Sequence, residues 1–227
     1  VAIVAFEDVV KTYRQGEVEV PALRGLNLTI EPGEFTAIVG PSGSGKTTAL
    51  NLVGALDVPT SGHVRIEGVD LGTLSRRQLA QLRRDRIGFV FQAYNLIPVL
   101  TAYENAEAVL ALQGVPFAER KARVMALLDE LGLGGMADRR PDQLSGGQQQ
   151  RVAIARAIAS NPAVVLADEP TANVDSETAE RLLALMERLN QERGVTFVFS
   201  THDPRVVEHA RRVVRLVDGK VADDLRR

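Results

Sequence analysis

The octapeptide GPSGSGKT, Gly40 to Thr47, stands between two stretches of different character. Before it, Glu34 to Val39 is a short apolar run of the kind that forms a buried strand. After it, the chain through Leu56 reads as a helix. A glycine-rich loop that leaves a strand and opens a helix is built to hold phosphate. Gly40, Gly43 and Gly45, with Ser42 and Ser44 between them, let the backbone bend until several N–H groups point inward. The helix adds its positive N-terminal end. Lys46 brings a mobile charge for the outer phosphates, Thr47 a hydroxyl suited to Mg²⁺, and Thr48 another for a nearer phosphate. A chance glycine-rich turn would have no use for Lys and Thr at those two positions.

Toward the N-terminus, Ala2 to Tyr13 and Glu19 to Ile30 alternate and are rich in Val, Ile and Leu, which predicts strands, with a turn at Pro32-Gly33. Toward the C-terminus, Pro59 to Gly62 turns into a strand over His63 to Glu67, and Ile87 to Phe91 predicts another. From Thr101 to about Ser160 strand-like runs are absent, and Val124, Leu127, Leu128 and Leu131 fall at helical spacing. Ala163 to Ala167 reads as a buried strand. Ser176 suits the cap of a helix whose Leu182, Leu185, Met186 and Leu189 form one apolar stripe. Val195 to Ser200 is a further strand. Asp218-Gly219, between Val213–Val217 and Val221, signals a hairpin. The fold class expected is α/β: a P-loop core with a mostly parallel sheet, an N-terminal antiparallel β subdomain and an inserted α-helical subdomain. Residues 1–227 are expected to form a single domain. Its core takes 1–92 and 161–227, and its helical subdomain takes 93–160.

Composition narrows the partners. The chain has 227 residues and a net charge of −2, so the whole surface is not that of a nucleic-acid binder. It has no cysteine, which excludes disulfides and thiolate metal sites. No apolar run approaches the roughly 20 residues that span a bilayer, and Val1 to Arg14 lacks a signal-peptide layout. The expectation is a soluble, cytoplasmic protein that meets a membrane only through a partner.

Two further stretches carry chemistry. VVLADEP, Val164 to Pro170, ends an apolar strand with Asp168 and Glu169. Strand ends in parallel sheets gather at the ligand edge. There Asp168 is placed to hold Mg²⁺, and Glu169 to polarise a water for attack on phosphate. Without the P-loop, the same run would equally suit a solvated loop. LSGGQ, Leu144 to Gln148, precedes a helix predicted over Gln149 to Ala159. Ser145 is a capping residue, and Gly146 and Gly147 expose N–H groups, with Gln148 beside them. This is a second anion-facing helix start. One nucleotide does not need two from the same direction, so it is expected to face a nucleotide held by another chain. A simple capped helix is the plainer alternative.

The P-loop, LSGGQ and the acidic strand end, in this order and spacing, resemble the nucleotide-binding domain of ABC ATPases over essentially the whole chain. The finer pattern is similar to ATPases of the lipoprotein-releasing and macrolide-exporting type. The stretches that carry it are GEVEVPALRGLNLTI, LNLVGALDVPTSGHVRI, IGFVFQAYNLIPVLTAYENA and LSGGQQQRVAIARAIASNPAVVLADEPT. The resemblance implies a Mg²⁺-dependent ATPase that closes as a head-to-tail pair of copies around ATP. It implies an integral membrane permease subunit as the second partner, with the chain peripheral on the cytoplasmic face. By the same resemblance Tyr13 stacks on adenine and Gln92 meets Mg²⁺ or the attacking water. His202 bonds the γ-phosphate, and Asp175 lies in a loop crossing the dimer interface. Lys46, Gln92, Glu169 and His202 are then the catalytic set. Thr47, Gln92 and Asp168 form the metal set. Ser145, Gly146, Gly147 and Gln148 act from the second copy. A soluble ABC ATPase outside transport is the alternative function. Two departures stand out: Ala172 and Val174 where the family has Gly and Leu, and Glu107-Ala108 where it is more apolar. Ala93 to Glu104, with Tyr94, Leu96, Ile97, Pro98, Val99 and Leu100, is the candidate coupling surface, or else packs under the helical block. Arg76-Arg77, Arg83-Arg84-Arg86 and Arg139-Arg140 read as solvated helix faces. His63 and His209 match no motif and read as structural or surface residues.

Overall fold

The computed structural model describes residues 1–16 and 18–227. In chain order the elements are β1 (Val4–Gln15), β2 (Val18–Ile30), β3 (Phe35–Val39), α1 (Lys46–Val53), β4 (Ser61–Ile66), β5 (Val69–Asp70), α2 (Arg76–Arg86) and β6 (Ile87–Phe91). They continue with α3 (Ala102–Leu112), α4 (Phe117–Glu130), α5 (Gly146–Ile158), β7 (Val164–Asp168), α6 (Ser176–Arg193), β8 (Phe197–Ser200), α7 (Pro204–His209), β9 (Arg212–Val217) and β10 (Lys220–Arg226).

The strands form two sheets. One, in the order β2-β1-β4-β5, is antiparallel throughout. The other runs β10-β9-β3-β8-β7-β6, parallel from β9 to β6 with β10 antiparallel at its edge. The parallel strands are covered on both faces, which is why they read as continuous apolar runs. Within β7 and β8 the side chains alternate between two cores. Val165, Ala167, Phe197 and Phe199 join the helices α3, α4 and α5 in one. Val164, Leu166 and Val198 join α1 and the antiparallel sheet in the other. The helical stretch is thus packed onto the sheet through a continuous apolar core. Gly88 marks the closest approach: a Cβ there would lie 2.4 Å from the carbonyl oxygen of Ala157 on α5.

Boundaries differ from the sequence reading where caps decide them. Helix α1 ends at Val53, not Leu56, because Gly54 caps it and Ala55 takes a left-handed φ of 51°. The helix α6 is capped by Asp175, whose side chain accepts from the Thr178 N–H. Ser176 is its first turn instead of its cap. Leu185 on its apolar stripe is only half-buried. Helix α5 begins at Gly146, three residues before the expected start. Arg139-Arg140 precede a single 3₁₀ turn and do not form a helix face. Among the described residues no helix is long and apolar enough to cross a membrane.

Gly88→Ala is expected to lower the unfolding free energy by roughly 3 kcal/mol through overpacking of β6 against α5. Urea titration followed by circular dichroism measures it.

Candidate functional site

Register places the site. Phe91 on β6 pairs with Asp168 on β7, Asp168 with Ser200 on β8, and Ser200 with Ile38 on β3. All four strands point the same way. The residues that follow each therefore leave at one edge: Gln92, Glu169, Thr201-His202, and Val39-Gly40 with the P-loop.

The loop is shaped by its glycines. Gly45 has φ 101°, and a Cβ there would lie 2.7 Å from the Ala22 carbonyl oxygen and from Leu23. It is the residue before α1, and it offers no side-chain cap bond. The first N–H groups of that helix are left for a ligand. Lys46 lies across the loop, donating to the carbonyl oxygens of Gly40 at 2.8 Å and Pro41 at 3.1 Å. Thr47 is exposed and Thr48 half-buried. Ser42 and Gly43 are exposed. Ser44 differs: it is 2% exposed, its N–H donates to Pro41 and its Oγ has no partner.

Beside the loop, burial holds the Asp168 carboxyl above the usual carboxylate range, and the Glu169 charge adds to this. A Ser200 hydrogen bond and the Lys46 charge oppose it. Glu169 has a left-handed φ of 46°. Its Oε1 lies 2.6 Å from His202 Nδ1 and accepts from the His202 N–H at 3.1 Å. Its Oε2 accepts from the buried Thr201 hydroxyl at 3.0 Å. Asp203 accepts from the Thr171 hydroxyl at 2.8 Å and from the guanidinium of Arg205. That pairing drops the Asp203 pKa to about 2, with Arg205 the largest cause and burial opposing it.

Gln92 is exposed at its strand end, 3.5 Å from Asn173 Oδ1, while Asn173 Nδ2 donates to the Gln92 carbonyl at 2.9 Å. Tyr94 donates its hydroxyl to the Asn173 carbonyl at 2.9 Å. The Tyr13 hydroxyl donates to Asp57 at 3.0 Å, lies beside Thr48, and its ring carries Lys11 Nζ 4.9 Å from its centre. The second helix start is formed as well. Ser145 is exposed, its Oγ accepts from the Gln148 N–H at 3.3 Å, and Gln148 Oε1 accepts from the Ser145 N–H at 2.9 Å. Gly146 faces the Tyr94 hydroxyl, and Gly147 faces Thr178, where added Cβ atoms would lie 2.8 and 2.5 Å away. P-loop, Gln92, Asp168, Glu169 and His202 thus share one edge. Ser145 to Gln148 instead lie beside Tyr94, Asn173 and Thr178.

Residues 23–172 match the family described as ABC transporter. The chain belongs to the ABC transporter family. It is 51% identical over 96% of its length to the macrolide export ATP-binding/permease protein MacB of Syntrophobacter fumaroxidans, of which it spans 31%. It is 48% identical over 94% of its length to the lipoprotein-releasing system ATP-binding protein LolD of Anaeromyxobacter dehalogenans, covering 90% of that protein. The ATP-binding cassette MJ0796 of Methanocaldococcus jannaschii, solved as a post-hydrolysis dimer bound to ADP and Pi, superposes with a TM-score of 0.89. Identity there is 47%, covering 98% of each chain. The chain has the ABC ATPase fold.

Several members of this ABC site were not legible in the sequence. Thr201, Asn173 and Ser200 touch predicted residues only through the fold, and Thr171 bonds Asp203 beside them. Gln150, fully buried, donates to the Phe91 carbonyl at 3.5 Å and to the Pro170 carbonyl, tying α5 to the ends of β6 and β7. Asp175 spends its carboxylate on Thr178, accepting its N–H at 2.9 Å and its hydroxyl at 2.7 Å. Glu107 has an internal use, accepting from Tyr103 at 2.7 Å and Arg120 at 2.6 Å. His63 pairs with Asp70, and His209 with Glu187 and Glu180.

A carboxyl whose pKa is depressed by folding contributes stability above its unfolded pKa and loses it as pH falls through the folded one. Asp203→Asn is therefore expected to be about 1–2 kcal/mol less stable than the parent near neutral pH. The gap should close between the ordinary Asp value of 3.8 and about 2. Urea midpoints across pH measure it.

Proposed function

We propose that two copies of the chain close head-to-tail around two ATP molecules, hydrolyse them, and so drive a transmembrane partner on whose cytoplasmic face they sit. The observation that carries this reading is the division of the anion-facing parts. One set gathers at the sheet edge, and a separate capped helix start at Ser145 is open to solvent. The dimeric MJ0796 cassette, bound to ADP and Pi, supports the same reading.

In this arrangement Lys46 leaves the Gly40 and Pro41 carbonyls for the outer phosphates. The α1 N–H groups, with those of Gly43 and Gly45, hold the phosphate chain, and Thr48 bonds a nearer phosphate. The Tyr13 ring has two faces, and Lys11 takes only one, so adenine stacks on the other. Glu169 is the base for the attacking water, oriented by Thr201. His202 and Gln92 contact the γ-phosphate and the water. Thr47 and Asp168, with Gln92, are hard oxygen donors that fit Mg²⁺. A buried carboxylate beside a second acid is a place where a divalent cation offsets unpaired charge. Bound Mg²⁺ would neutralise charge developing on the phosphates. Ser145, Gly146, Gly147 and Gln148 of the second copy complete the site, and Asp175 orders the loop between the halves. Residues 93–160 act as the signature-bearing arm on the core formed by 1–92 and 161–227. ATP favours the closed pair only by its extra affinity for that state, and hydrolysis removes it.

Glu169→Gln tests the chemistry. The variant should form ATP-dependent dimers on gel filtration while phosphate release falls about 10²–10⁴-fold. Turnover like the parent, or an ATP-loaded monomer, would overturn the assignment.

For the partner we propose the groove of ≈ 320 Å³ beside β6, lined by Leu56, Arg83, Phe89, Phe91, Asn95 and Arg156. Leu56, Ile97 and Val99 are exposed at 53%, 46% and 69%. Arg156 fixes the adjoining loop by donating to the Tyr94 carbonyl at 2.9 Å and the Asn95 carbonyl at 2.5 Å. A helix of the permease seats an apolar face here. Leu56→Asp with Val99→Asp should leave the turnover of the isolated chain unchanged and abolish copurification with a membrane protein from detergent extracts. Recovery of only ribosomal or DNA-bound proteins with the parent chain would favour the non-transport reading instead.

A further inference from the structure

Away from the nucleotide edge, a groove of ≈ 500 Å³ runs between the end of α4 and helix α6. Arg151, Arg181 and Arg188 line it, with Leu131 and Leu185 as its apolar parts. Its one carboxylate, Glu130, is already held by Arg193. Arg188 reaches only the backbone carbonyl of Glu130, at 3.1 Å, and Arg151 only that of Leu131, at 3.4 Å. The Arg151 Nε is buried without a partner. Arg181 pairs with Glu177 in an exposed i,i+4 bridge, a weak contact that is readily exchanged. Guanidinium forks that meet only carbonyls are unsatisfied in charge and match carboxylates bidentately.

We propose that this groove binds an extended acidic segment of a partner protein, with carboxylates three residues apart on Arg181 and Arg188 and an apolar side chain between them on Leu185. The spacing argues for a segment over a single small anion. Arg181, Leu185 and Arg188 lie on one face of α6, and seven residues of helix span about 10 Å. One carboxylate or sulfate does not cover that distance. An extended polyproline-II chain advances about 3.1 Å per residue and returns every third side chain to the same face, so acids at i and i+3 do. The groove also crosses a joint. Glu130 closes α4, Leu131 and Gly132 form the turn after it and Arg151 lies on α5, whereas α6 packs beside the parallel sheet. A segment seated there pins the signature helix α5 to the core without touching the nucleotide edge. This assignment stands apart from the transport reading.

The test uses the full chain, saturated with Mg-ADP so that the P-loop does not compete. A fluorescein-labelled Gly-Glu-Leu-Ala-Glu-Gly peptide is titrated by anisotropy against its Gln-for-Glu counterpart. The acidic peptide should bind, more weakly as salt rises, and the Gln peptide should not. Arg188→Glu should lower its affinity ~10-fold or more and confer binding of the Lys-for-Glu peptide. ATP turnover of that variant without peptide should equal the parent's. Equal binding of the Gln peptide, unchanged affinity in Arg188→Glu, or displacement by an equal concentration of inorganic sulfate would each overturn the proposal.

Discussion

The parallel register of β6, β7, β8 and β3 is the constraint on which everything else rests. Hydrogen bonding fixes Phe91, Asp168, Ser200 and Ile38 in one row. The next residues of all four strands must then leave together. No loop has to find its neighbours. The sheet delivers Gln92, Glu169, His202 and the P-loop to one edge as a consequence of backbone geometry. A slip of one residue in any strand would turn its side chains to the opposite core. The two apolar cores therefore protect the chemistry, since each rejects the other's set.

Several donors and acceptors of that edge are hydrogen-bonded at rest. Lys46 spends its protons on two loop carbonyls, and Glu169 accepts from His202 and Thr201. A phosphate ligand there would have to replace these bonds, and it would offer Lys46 a full negative charge in place of two neutral carbonyl oxygens. The resting bonds also preorganise the groups, because a side chain already held near its working position loses less entropy on binding. Asp168 is the exception. Burial and the neighbouring Glu169 leave its charge poorly compensated.

What could be read from the sequence, and what could not, divides by range. The P-loop, the acidic strand end and LSGGQ are contiguous, and each pairs a local conformation with a local chemistry. Glycine and lysine declare themselves within a few residues. The strands β3, β7 and β8 read as apolar runs because both their faces are buried, whereas β2 reads from the alternation of its exposed and buried faces. Boundaries set by caps were less so: Asp175 and Ser176 are both capping types, and only geometry shows that Asp175 accepts from Thr178. Contacts between distant segments left no local trace. Asn173 meets Gln92 across 81 residues, and Thr201 meets Glu169 across 32. Glu107 looked like a departure from an apolar surface, yet it serves Tyr103 and Arg120 inside the helical block.

The same long-range contacts tie the signature helix to the site it accompanies. Gln150 stands two residues past LSGGQ and reaches the carbonyls at the ends of both β6 and the β7 turn. Gly88 lets α5 approach β6 to backbone contact, and Arg156, two turns farther along, holds the Tyr94 and Asn95 carbonyls. Tyr94 and Asn95 both take left-handed φ values, 59° and 50°, which non-glycine residues adopt only when held. Tyr94 in turn bonds the loop that carries Asn173. Gln92, Asn173, the Tyr94 loop and α5 are thus joined by a continuous set of hydrogen bonds. In the proposed arrangement, a partner seated against the Tyr94 loop and a nucleotide at the P-loop edge would meet the same packed set of residues, and any coupling between them would be reciprocal.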